Sequence, residues 1–83
     1  MSNLEIHFAL QQILKLYADI EKISWDNLFK IFRETTDKQG LTSYYYFLSE
    51  CRAYSLLVKQ GKNFLINWAE YEKFKKANGF DDE

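Results

Sequence analysis

Apolar residues recur at helical spacing in the first part of the chain and predict an amphipathic helix. Ser2 followed three positions later by Glu5 is a capping-box pattern, which typically marks the start of a helix. We therefore expect helix 1 over about residues 3–21. Its core face is expected to hold the apolar residues that recur three or four positions apart: Ile6, Ala9, Leu10, Ile13, Leu16, Tyr17 and Ile20.

Two further helices are predicted next along the chain. Ser24 is a good N-cap and precedes an apolar stripe that begins at Trp25, so helix 2 is expected over about 25–37. After a glycine-containing turn, helix 3 is expected over about 42–54, with Thr42 as the candidate cap. The core face of helix 3 is expected to hold Leu41, Tyr44, Phe47, Leu48, Cys51 and Ser55.

The hydrophobic period changes after helix 3 and indicates a β-hairpin. Two short β-prone runs predict a hairpin over about 55–66, with Gly61 in its tight turn. A last helix is expected over about 68–77, with Asn67 as its N-cap, and about 80–83 as a frayed tail. The predicted fold is mainly α with a small β-hairpin, an α+β fold of one domain.

Composition limits the size of the fold and says little about partners. Hydrophobic residues make up 47% of the 83 residues and aromatic residues 18%, which is enough to fold one domain and too apolar for a disordered segment. The formal net charge is −1, so no overall field attracts nucleic acid or anionic lipid.

The cysteine content and the apolar runs indicate a cytoplasmic protein. Cys51 is the only cysteine, which excludes an intramolecular disulfide and fits a reducing compartment. No apolar run approaches the roughly 18 residues that span a bilayer, and the N-terminus lacks the pattern of a signal peptide. We expect neither secretion nor membrane insertion.

Residues that could carry catalysis are scarce. His7 is the only histidine and is expected on the polar side of helix 1, whereas Cys51 is expected in the core. No cysteine and histidine have the spacing of metal ligands, and no glycine-rich loop or nucleophile motif is present. The sequence therefore predicts a protein that is not an enzyme and has no metal or cofactor.

The order of the predicted elements resembles that of the winged helix-turn-helix superfamily. Residues 25–57 resemble its helix-turn-helix and residues 56–66 its wing, which together cover about half of the chain. The resemblance implies a three-helix core followed by a C-terminal helix, with a first strand at Ile23 and Ser24. It also implies that helix 3 lies in the major groove of double-stranded DNA and that the wing contacts the backbone.

Carried over by position, the resemblance assigns the DNA contacts to helix 3 and the wing. Arg52 is expected to pair with guanine or a phosphate, while hydroxyl groups donate to phosphates and tyrosines contact thymine methyls or phosphates. Every formal charge between residues 51 and 69 is positive, although these charges could equally serve only to solvate the surface. The candidate nucleic-acid-binding residues are Thr42, Tyr45, Tyr46, Ser49, Arg52, Lys59 and Lys62.

Two apolar residues of helix 1 do not fit its core face. Leu4 and Phe8 lie nearly opposite that face on a helical wheel. One alternative is that the aromatic residues of the last helix cover Leu4 and Phe8. We favour it because those aromatic residues also need burial. The other alternative is that Leu4 and Phe8 form an interface, as in a homodimer.

Two functions from different classes are therefore predicted. The first is a small winged-helix-like DNA-binding module with a role in transcription regulation. The alternative is a protein-binding module or inhibitor of the kind that bacteriophages and other mobile elements encode. It would dock without DNA through Tyr45, Tyr46, Leu4 and Phe8.

Overall fold

Four helices and three short strands make up residues 3–80, the part of the chain that the computed structural model describes. The predicted cap Ser2 and residues 81–83 of the predicted tail lie outside it, whereas the frayed tail predicted at Phe80 is wrong, because this residue packs against the core. The predicted mainly α fold with a small β-hairpin is confirmed. In chain order the elements are α1 (Asn3–Tyr17), β1 (Lys22–Ser24), α2 (Trp25–Thr35), α3 (Leu41–Ala53), β2 (Leu57–Gln60), β3 (Asn63–Ile66) and α4 (Trp68–Asn78).

Helix α1 ends four residues earlier than the hydrophobic pattern predicts. Ala18 adopts a left-handed conformation with φ 59°, and its N–H closes the last turn by donating to the carbonyl of Leu14 at 2.9 Å. The core positions predicted for Leu16 and Tyr17 are wrong, because both side chains are exposed. The chain leaves the helix here so that residues 22–24 can join the sheet.

The sheet is antiparallel and has the strand order β1-β3-β2. Ile23 of β1 pairs with Phe64 of β3, which pairs in turn with Lys59 of β2. Gly61 adopts φ 60° at the first of the two positions between the hairpin strands, where a type II′ turn requires glycine. The carbonyl of Lys62 then accepts the backbone N–H of Trp25 at 2.8 Å, which fixes the hairpin tip to the start of α2.

Side-chain caps set the ends of α2. Ser24 accepts the Asn27 N–H at 3.1 Å, as predicted. The helix ends at Thr35, two residues early, because the Thr36 hydroxyl donates to the Phe32 carbonyl at 2.8 Å and accepts the Lys38 N–H at 3.2 Å. These side-chain bonds compete with further helical turns.

Helix α3 begins one residue earlier than predicted, with Gly40 as its N-cap. The cap predicted at Thr42 is therefore wrong, and this side chain lies exposed on the helix. Leu41 and Ser55 are also exposed, so their predicted core positions are wrong. They lie at or just beyond the ends of α3, where the helix no longer rests on the core, and Ser55 has a left-handed φ of 62°.

The core forms where α1, α2 and α3 meet the inner face of the sheet. Tyr44 and Cys51 are fully buried, as predicted. Tyr44 packs in parallel on Phe29 at 4.5 Å between ring centroids, and its hydroxyl donates to the Trp25 carbonyl at 2.8 Å. This residue therefore joins α3 to the first turn of α2.

Helix α4 packs against α1 through a buried histidine. The predicted polar position of His7 is wrong: only 8% of it is exposed, its Nδ1 lies 2.9 Å from the Tyr71 hydroxyl, and its ring stacks on Phe80 at 4.8 Å. Leu4 and Phe8 nevertheless each stay 43% exposed, so the favoured prediction that the last helix buries these two residues is wrong.

Candidate nucleic-acid interface

A groove of about 600 Å³ separates α3 from the hairpin. Residues at helical spacing on the outer side of α3 form one wall, and β2 contributes the other. Leu48 and Phe64, both buried, lie beneath them. Four of the predicted nucleic-acid-binding residues meet in this groove: Tyr45, Ser49, Arg52 and Lys59.

A second depression of about 560 Å³ continues from the groove toward the hairpin tip. Lys59 and Lys62 both line this depression and so lie on the same side of the molecule. The two lysines flank the tight turn of the hairpin. Asp26, in the first turn of α2, adds a carboxylate to its lining. Trp25 and Lys59 line both depressions and so join them.

The remaining predicted residues lie on the outer side of α3. Thr42 and Tyr46 form a shallow depression of about 280 Å³ with Tyr45 and Ser49. Tyr45 is 55% exposed and Tyr46 66% exposed. Since neighbouring depressions share residues, all seven predicted residues contribute to one continuous area, which we call the α3–hairpin surface.

The cations of the α3–hairpin surface are free of ion pairs within residues 3–80. Arg52, Lys59 and Lys62 are exposed and have no carboxylate within salt-bridge distance. Elsewhere in residues 3–80 some lysines are paired, such as Lys38 with Glu5 at 3.0 Å, and others are unpaired, so these three cations differ in lining one surface together. An unpaired surface cation is available to neutralise a phosphate without first breaking a salt bridge.

Trp25 is a residue of this surface that the sequence does not reveal. The apolar pattern assigns it to the core face of helix 2, but its side chain is half-buried and lines the groove beside Arg52 and Lys59. Its position directly after the N-cap Ser24 places it at the edge of the core, beside the hairpin. The sequence could have indicated this surface position only through the place of Trp25 directly after the N-cap, and not through its hydrophobicity.

The most deeply buried titratable groups do not contribute to this surface. Burial raises the pKa of the Cys51 thiol and, together with nearby Cys51 and Asp26, raises the pKa of Tyr44. Both groups are therefore held in their neutral forms. Among residues 3–80, no three His, Cys, Asp or Glu side chains form a group that could hold a metal ion, and no helix is long and apolar enough to cross a membrane.

No protein-family model, curated protein or solved structure matches this chain. Function is therefore inferred from the residues of the chain and from their arrangement.

Proposed function

We propose that the chain is a small, cytoplasmic, winged-helix-like module that binds double-stranded DNA and regulates transcription. The observation that carries the proposal is that Arg52 of α3 and Lys59 of β2 line the same groove without ion-pair partners. The strand order β1-β3-β2 and the short strand before α2 support the likeness to a winged helix. The single buried cysteine fits a reducing compartment.

In this proposal α3 lies in the major groove, which is wide enough to admit a helix. The exposed tyrosines contact base edges or phosphates, and Arg52 pairs with guanine or with the backbone. The hairpin then meets the adjacent backbone with Lys59 and Lys62. The roles of the contacts differ: contacts from α3 to base edges select sequence, and contacts to phosphates, including those from the hairpin, supply affinity for any sequence.

The number of cations sets the expected affinity. Three unpaired cations neutralise at most about three phosphates per protomer, and each phosphate contributes about −0.9 to the slope of log K against log salt. Asp26 in the second depression weakens the attraction further. We therefore expect modest, strongly salt-dependent binding by one protomer and tighter binding by a dimer.

Replacing both hairpin lysines tests the role of the wing. Lys59→Ala combined with Lys62→Ala should weaken binding to every duplex sequence and reduce the magnitude of the salt slope by about 2, because two phosphate contacts are lost. The measurement is fluorescence anisotropy of a labelled duplex at several salt concentrations.

The control for the lysine pair changes the net charge by the same amount elsewhere. Lys73 and Lys76 lie on α4 and do not line the groove or the depression at the hairpin tip, so replacing both with alanine should have a much smaller effect. Equal losses of affinity in the two double variants would remove the hairpin from the interface.

A protein-binding module is the second candidate function. It is favoured by the near-neutral net charge and by large exposed side chains, above all Tyr46 at 66% exposure. Tyrosine and phenylalanine are enriched where proteins meet. In this proposal Tyr45 and Tyr46 dock on another protein, and Leu4 and Phe8 form a second contact area on α1.

In the DNA-binding proposal, by contrast, Leu4 and Phe8 form the contact between two copies of the chain. We expect Phe8→Glu to give a folded monomer from a dimeric wild type, because the carboxylate would have to be buried in the interface. Light scattering measures the mass, and circular dichroism checks the fold. Tyr17→Glu is the control: Tyr17 is equally exposed and lies about half a turn around α1 from Phe8. A monomeric wild type would contradict this contact.

A further inference from the structure

Trp25 is held in place by three elements of the fold. Its backbone N–H donates to the backbone carbonyl of Lys62 in the hairpin at 2.8 Å. Its own carbonyl accepts a hydrogen bond from the hydroxyl of Tyr44 in α3, also at 2.8 Å. Its ring packs edge-on against Tyr44 at 5.0 Å and against Phe29 at 5.4 Å between ring centroids. The indole is thus positioned before any ligand binds, so little conformational entropy remains to be lost there.

The indole N–H of Trp25 is a hydrogen-bond donor without a partner among residues 3–80. The other tryptophan contrasts with it, because the Trp68 indole N–H donates to the Ile20 carbonyl at 2.7 Å. No buried polar side-chain atom of the described residues lacks a partner, so the free donor of Trp25 is open to the surface. Buried tryptophan N–H groups usually have a protein partner, whereas this one reaches the surface and is available to a ligand.

Cations line both depressions around the Trp25 side chain, and one carboxylate, that of Asp26, lines the depression at the hairpin tip. Trp25 lines the groove together with Ser49, Arg52 and Lys59, and it also lines the depression that contains Lys62. Neutral N–H and O–H donors beside cations are the groups that bind phosphate oxygens in protein–DNA complexes.

We propose that Trp25 anchors a backbone phosphate of the bound DNA between α3 and the hairpin. The indole N–H donates to one phosphate oxygen, and Arg52 and Lys59 neutralise the charge. This inference rests on the proposed DNA binding, and it assigns to Trp25 a role that neither its hydrophobicity nor the likeness to a winged helix indicates.

A neutral donor has a signature that a cation lacks. A variant without the N–H makes one hydrogen bond fewer to DNA, but its binding releases as many counterions as that of the wild type. Its affinity is therefore lower, while the slope of log K against log salt is unchanged. Losing the cation of Lys59 changes both quantities. The two kinds of contact are therefore separable in one salt titration.

The test is Trp25→Phe in the full chain, with anisotropy of a labelled mixed-sequence duplex as the readout. Phenylalanine keeps an aromatic ring against Tyr44 and removes the donor. We expect binding to weaken about fivefold to tenfold at every salt concentration, with parallel salt curves. Trp68→Phe is the matched control, since its indole lies outside the groove, and it should bind DNA as the wild type does.

The fluorescence of Trp25 gives a second readout that does not require the Trp25→Phe variant to fold. In the Trp68→Phe protein Trp25 is the only tryptophan, and bound duplex should protect it from quenching by acrylamide. If the wild type binds DNA but Trp25→Phe binds equally well, or quenching is unchanged, the role of Trp25 is overturned alone. If the folded wild type binds no duplex even at low salt, the proposed DNA binding fails as well.

Discussion

Replacing Tyr44 with alanine should lower the free energy of unfolding by about 3–5 kcal/mol, as truncation of a fully buried aromatic residue does. Tyr44 packs against the rings of Trp25, Phe29 and Phe32 of α2. Its hydroxyl donates a hydrogen bond to the Trp25 carbonyl. A domain of this size has roughly 5–15 kcal/mol of stability in total, so the variant should be close to unfolding. Urea denaturation followed by circular dichroism measures the loss.

The chain supplies a matched control at the next position. Tyr45 has the same side chain on the same helix but is 55% exposed, and Tyr45→Ala should cost less than about 1 kcal/mol. Tyr44→Phe should fall between the two at about 1–3 kcal/mol, because it keeps the ring but leaves the Trp25 carbonyl without its donor. Equal losses for Tyr44→Ala and Tyr45→Ala would contradict the described core.

The protein should lose stability steeply above about pH 9 to 10, where the thiol and phenol groups of an unfolded chain begin to ionise. Burial raises the pKa of Tyr71 to about 12, with a further contribution from Glu72, and burial also raises the pKa values of Tyr44 and Cys51. The native state therefore keeps protons that the unfolded state releases.

The direction of the pH effect follows from proton linkage. When the unfolded state binds fewer protons than the native state, the free energy of unfolding falls as the pH rises, by at most about 1.4 kcal/mol per pH unit for each such group. For Tyr71 the loss occurs between pH 10 and about 12. Urea denaturation in reducing buffer between pH 8 and pH 11.5 measures it.

Tyr71→Phe isolates the contribution of one phenol. The variant loses the hydrogen bond between the Tyr71 hydroxyl and His7, so it should be less stable by about 1 kcal/mol near neutral pH. Its stability should also fall less steeply than that of the wild type above pH 10, because one linked group is absent. Parallel pH curves for the two proteins would show that Tyr71 is not held neutral by the fold.

Local sequence signals predicted the parts of the fold that local interactions determine. Ser24 and Asn67 cap α2 and α4 by accepting the N–H of the residue three positions later, and Gly61 takes the positive φ that a tight turn requires. Each of these features can be seen in a window of a few residues.

The errors have non-local causes. Beyond the end of α1, Lys22 pairs with Leu65, and hydrophobic periodicity near residue 20 does not indicate a strand partner so distant in sequence. His7 lies on the polar side of a helical wheel, yet Tyr71 and Phe80 from the other end of the chain cover it. Hydrophobic periodicity describes one helix at a time and cannot show which face a later element will cover.

The sequence predicts the cations and the hydroxyl-bearing residues of the α3–hairpin surface, but it does not predict that Trp25 belongs to this surface. Residues on the outer side of a helix follow from helical spacing once its inner face is known, which is why Tyr45, Ser49 and Arg52 were found. Trp25 required the contact between the start of α2 and the hairpin tip, which only the folded chain provides.

Binding of the wild-type protein to a labelled mixed-sequence DNA duplex, followed by fluorescence anisotropy at low and at physiological salt, tests the central proposal most directly. We predict salt-sensitive binding with a dissociation constant of roughly 10⁻⁴ to 10⁻⁶ M at physiological salt and tighter binding at low salt. No binding at low salt by protein that circular dichroism shows to be folded would contradict DNA binding and would favour the protein-binding module.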